Sequence, residues 1–178
     1  MEDLLPREER IRWIVERTAL LVDVGCEPVS GLVLPTSTFF PDHFDRSEQA
    51  VKRLVRRVVK LAGLSDLNIK GNLVLVENEG GGGGCSSGTC SVGGGQAPVA
   101  RVEKRKNGWT VNVGVGEVSN PTVLTTGLVR AVGHIFIREF EINRELERGD
   151  ADAAADLGGV LFGMGTLLCN GAYIYSKG

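Results

Sequence analysis

The chain has 178 residues, 24 % of them charged, and a net charge of −2. That length can bury a real core within one domain spanning residues 1–178, and the small net charge excludes the global attraction to nucleic acid that a strongly basic protein shows. The start, Met1-Glu2-Asp3-Leu4-Leu5-Pro6, is acidic and broken by proline, whereas a secretory signal needs a basic end and an apolar run, so a cytoplasmic protein is expected.

In chain order, the first expected element is an amphipathic helix from near Pro6 to before Gly25, with Ile11, Ile14 and Val15 on its inner face. A connection marked by Pro28, Pro35 and Pro41 follows. The next helix has the clearest signals: Ser47 as its cap, then Val51, Leu54, Val55, Val58 and Ala62 as an i, i+3, i+4 stripe, then Gly63 as its stop. Its other face carries Lys52, Arg53, Arg56, Arg57 and Lys60. With no aromatic residues between them to stack on bases, these read as a solvated face, and a nucleic-acid partner is not expected.

Strand patterns run over Leu73–Val76, Pro98–Glu103 and Trp109–Val115, the last two joined by a turn at Asn107-Gly108. Between the first strand and this hairpin, residues 78–97 form a Gly/Cys-rich loop insertion. Nine of the 25 glycines fall in residues 80–95, so the excess over the usual ~7 % is local to this loop. Asn120-Pro121 caps and opens a third helix. Asp150 and Asp152 then lead into a charge-free run, Leu157–Tyr175. Such a run could span a bilayer, but its glycines and Asn170 favour a buried helix, with Gly159 and Gly163 allowing close helix approach. The order of elements predicts an α+β domain: a small, mostly antiparallel sheet packed against helices, with the two C-terminal helices forming much of the core.

Candidate chemistry lies in three places. Cys85 and Cys90 could donate two thiolates to zinc, with Cys26, Cys169, His43 or His134 completing a tetrahedral set. One such pair is a weak signal, and the alternative is a polar insertion whose cysteines stay free in a reducing compartment. Gly114-Val115-Gly116 lacks the third glycine and the βαβ setting of a dinucleotide site. The third place is the helix Leu128-Val129-Arg130-Ala131-Val132-Gly133-His134. Two histidines four apart on a helix bind zinc in His-Glu-x-x-His peptidases, and the glutamate between them is the base. Here Arg130 stands at the first histidine position, Ala131 at the glutamate, and only His134 remains. Leu124, Leu128, Ala131, Val132 and Ile135 make the inner stripe, which puts His134 on an exposed or half-exposed polar face. Arg130 there offers a fixed positive charge that could hold an anion.

The stretch Pro35-Thr36-Ser37-Thr38-Phe39-Phe40-Pro41-Asp42, the helix at 47–62 and Ala155-Asp156-Leu157-Gly158-Gly159-Val160-Leu161-Phe162-Gly163-Met164-Gly165 together resemble an uncharacterised bacterial family similar to zinc metallopeptidases of zincin type. The resemblance implies that His134 matches the second metal histidine and that Asp152 or Asp156 matches the acidic position on the next helix. Arg130 and Ala131 depart from the pattern and remove a ligand and the base. The expectation is therefore a degenerate site and a catalytically inactive domain with no cofactor, which binds a protein partner or a second copy of itself. The alternative expectation is a zinc-binding or thiol-redox regulatory protein that uses the Cys85/Cys90 loop.

Overall fold

The computed structural model describes residues 6–74, 100–147 and 149–175. Along the chain come α1 (Glu8–Asp23), α2 (Glu48–Leu61), β1 (Ile69–Val74), β2 (Ala100–Arg105), β3 (Gly108–Gly114), α3 (Pro121–Glu139), α4 (Ala151–Leu161) and α5 (Gly165–Tyr175). Short 3-10 turns at Val115–Ser119 and Ile142–Arg144 flank α3. The class is α+β.

Local chemistry sets the helix starts. The Ser47 hydroxyl accepts a hydrogen bond from the Ala50 N–H at 3.1 Å, and the Asn120 side chain accepts from the Val123 N–H at 3.2 Å. Each satisfies a donor that the first helical turn leaves without an intrahelical partner. The α2 stripe is buried as expected at Val51, Val55, Val58 and Ala62, with Leu54 half-buried. Its basic face lies outward at Arg53, Arg56 and Lys60.

The sheet corrects the expectation of a mostly antiparallel one. Its strand order is β1-β3-β2, with β2 and β3 antiparallel but β1 and β3 parallel, Ile69 opposite Trp109 and Val74 opposite Gly114. The hairpin turns β3 back alongside β2, and the long stretch from Val74 to Gly108 gives β1 the length that a parallel neighbour needs. At the hairpin, Lys106-Asn107 form the loop, and Gly108, at φ +134°, pairs with Arg105. The central strand buries Trp109, Val111 and Val113.

Two helices also depart from their sequence reading. Ile11, Ile14 and Val15 of α1 are exposed, Val15 by 62 %, and the residue of α1 that is buried is Leu21. Leu21 seats α1 on the core, and polar contacts add to it: the Trp13 indole donates to Asp150 at 2.7 Å, and Arg17 lies 3.7 Å from the same carboxylate. The charge-free C-terminal run is two helices rather than one, because Gly163 takes φ +77° just past the end of α4. An added Cβ at Gly163 would sit 2.4 Å from the Gly31 carbonyl, so the break is packed as well as bent. No helix among the described residues is long and apolar enough to cross a membrane.

Helix α3 runs through the middle of the core. Every residue from Ala131 to Ile137 is buried, as expected for a helix covered on several sides. Phe136 meets the Phe162 ring edge-on, with centroids 5.5 Å apart.

Candidate functional site

The residues that the sequence singles out on α3 and α4 come together across one joint. The two helices run antiparallel, and Gly133 is what lets them approach: a Cβ there would lie 2.2 Å from the Ala155 carbonyl oxygen. Arg130 and His134 lie one turn apart on α3, and Asp152 and Asp156 lie one turn apart on α4. Antiparallel packing therefore matches Arg130 with Asp156 and His134 with Asp152.

The first pair is bidentate. Arg130 Nε donates to Asp156 Oδ1 at 2.8 Å, and its Nη2 donates to Oδ2 at 2.6 Å, so both carboxylate oxygens are engaged. The pair is solvent-accessible, with 48 % of the arginine side chain exposed. The anion that Arg130 holds is thus one of the protein's own carboxylates, where the sequence left room for a ligand.

The second pair lies deeper. His134 is only 5 % exposed, which corrects its placement on an open polar face. The reason is that α4 covers the side of α3 that the apolar stripe alone would leave to water. His134 Nε2 stands 2.9 Å from Asp152 Oδ1. Burial pushes the imidazole below its ordinary range. Asp152 pulls it upward, while the positive charges of Arg138 and Arg130 add to the downward push. His134 is therefore neutral at neutral pH, and the contact with Asp152 is that of a carboxylate beside a neutral ring. Ala131 is buried at 2 % exposure and carries no proton acceptor.

This donor set does not suit zinc. A tetrahedral site needs three or four unprotonated ligands, and here one position is a guanidinium that occupies both oxygens of Asp156. That leaves His134 and Asp152, already in contact with each other. Among the described residues no group of three or more His, Cys, Asp and Glu side chains is arranged to hold a metal. Cys85 and Cys90 lie outside the described residues. Cys26 is buried, its thiol pushed up to about 11 by desolvation, and Cys169 is exposed.

A feature that the sequence did not reveal is a cavity of about 390 Å³ between the segment 35–44, α2, the first turn of α3 and α5. The Asp42 carboxylate and the Arg57 guanidinium meet at its wall, 2.9 Å apart. Their separation in sequence gave no signal of it. Arg57 was visible only as one member of a basic stripe.

No protein-family model matches the chain, and neither the curated proteins nor the solved structures provide a significant match.

Proposed function

We propose that this is a catalytically inactive, metallopeptidase-like domain that acts through protein binding. The observation that carries the reading is the bidentate Arg130–Asp156 pair, which puts a fixed positive charge and a spent carboxylate where the resembled peptidases hold a cation. A positive charge there repels a metal ion, and the missing carboxylate at Ala131 leaves no base to activate water.

The test is zinc titration of the full chain alongside Arg130→His, followed by calorimetry and by thermal melting with and without chelator. The unmodified chain is expected to show no saturable zinc binding and no chelator-dependent melting. Arg130→His frees Asp156 and adds an imidazole one turn from His134, so it is expected to gain about one zinc per chain. Zinc bound by the unmodified chain and lost in His134→Ala, or peptide hydrolysis abolished by the same substitution, would overturn the reading.

The binding half of the proposal is supported by α1, whose Ile11, Ile14, Val15 and Val22 are all at least 40 % exposed along one helix. Apolar side chains grouped in this way mark interaction surfaces more often than chance exposure does. The partner we name is a second copy of the chain, because an isologous contact needs only one patch, and an apolar patch complements itself. Light scattering across a concentration series is expected to show a dimer that Val15→Glu dissociates. A monomer at all concentrations would reject self-association.

A further inference from the structure

We propose that the cavity beside α2 binds a small zwitterion with an apolar side chain, of which an apolar α-amino acid is the simplest example. Its volume of about 390 Å³ lies within the ~300–1,000 Å³ range of small-molecule sites. Phe40, Phe44 and Leu54 line it while only half-buried, so large apolar surface stays open inside a concave space. Thr36, Ser37, Thr122 and Asn170 also line it, all of them solvent-exposed polar residues. An apolar wall with several polar residues along its rim is the composition of a ligand pocket.

The charge arrangement selects the ligand. Asp42 and Arg57 both line the cavity and together carry no net charge. A simple carboxylate would meet repulsion from Asp42, and a simple amine would meet it from Arg57. A zwitterion satisfies both, its ammonium beside Asp42 and its carboxylate on the Arg57 donors that Asp42 does not use. In an α-amino acid the two charged groups sit on one carbon, so both fall within reach of two protein side chains that already touch. Opening the pair costs little, since both side chains are about a third or more exposed and pairs of that kind are weak. The amino acid's side chain would then lie along Phe40, Phe44 and Leu54. Successive turns of α2 bring Ala50, Leu54 and Arg57 to the cavity, and a rise of ~1.5 Å per residue makes that wall roughly 10 Å long, enough for a phenylalanine or leucine side chain.

The experiment is calorimetric titration of the full chain with L-phenylalanine, L-leucine, 3-phenylpropanoate and phenethylamine. Saturable binding of both amino acids is expected, with each singly charged analogue about tenfold weaker or worse than L-phenylalanine. Asp42→Asn is expected to erase the preference over 3-phenylpropanoate, and Arg57→Gln the preference over phenethylamine. Arg12→Gln, which breaks an exposed pair with Glu8 on α1, is expected to leave both intact. Amide shifts at Thr36, Thr122 and Asn170 on adding L-phenylalanine would place the ligand independently of the variants. The proposal is overturned if neither amino acid gives saturable binding up to its solubility. It is equally overturned if the singly charged analogues bind as well, or if the shifts fall elsewhere.

Discussion

His134 is neutral at neutral pH because burial costs its charged form more than Asp152 returns. The unfolded chain carries an ordinary histidine with a pKa near ~6.5. Below that pH the unfolded state takes up a proton that the folded state resists, so the contribution is complete above about pH 6.5 and is lost as pH falls toward the depressed folded value. Urea denaturation at a series of pH values is expected to show stability declining from about pH 6.5 downward, and His134→Gln is expected to flatten that decline. Glu139 gives a separate acid-side loss, because the Trp109 indole at 2.8 Å and Lys104 at 3.2 Å hold its carboxyl below the ordinary range. Its stabilisation is present above the ordinary carboxylate value and disappears as pH drops through the lowered one, at more acidic pH than the His134 effect. Gly133 supplies a different residue-scale test. With an added Cβ only 2.2 Å from the Ala155 carbonyl, Gly133→Ala forces backbone apart from backbone, and a loss on the order of 3 kcal/mol is expected by chemical denaturation.

The α3–α4 joint holds mainly by close packing. The Arg130–Asp156 pair has good geometry, but it sits in water, where screening reduces its worth. A double-mutant cycle with Arg130→Gln and Asp156→Asn should therefore yield a coupling of about 1 kcal/mol or less. A coupling of several kcal/mol would mean that the pair, rather than the Gly133–Ala155 approach, locks the joint. At α2 the expectation reverses in size relative to exposure: the Ser47 hydroxyl satisfies a backbone donor that water reaches poorly, and Ser47→Ala should cost about 1 kcal/mol in the same assay. These elements also differ in how far the sequence exposed them. The α2 stripe, cap and stop are local signals within one helix, and they located it to within a few residues. Periodicity on α1 was equally clear, yet it identified the wrong inner face, because an apolar stripe does not say whether another element comes to cover it. On α3 the reverse holds: His134 reads as polar and outward until α4 is laid across it.

Across the whole molecule, the α+β class, the order of elements up to α3 and the burial of the α3 stripe were legible from the chain, since each rests on patterns that close within one element; the division of the C-terminal run into α4 and α5 was not. The spacing also set Arg130 with His134 and Asp152 with Asp156 one helical turn apart, and the structure brings all four to one joint. Their pairing was not legible, because it depends on the antiparallel approach that Gly133 permits. Sheet order was hidden for a similar reason. The Asn107-Gly108 signal specifies that β2 and β3 pair, with the loop itself at Lys106-Asn107, but nothing local specifies which side of the hairpin β1 joins, and it joins β3 in parallel. The cavity lay furthest from view, drawing its walls from four separate stretches of chain. The sequence by itself determined the class, most of the elements, and that positions 130 and 131 carry neither a second histidine nor a glutamate, because these are properties of residue type and spacing. Only the tertiary structure decided that His134 is buried and neutral, that Arg130 is bonded to Asp156, that α1 keeps apolar side chains in water, and that Asp42 and Arg57 share a pocket. Those are consequences of which surfaces meet, and distances between residues remote in sequence are set by packing.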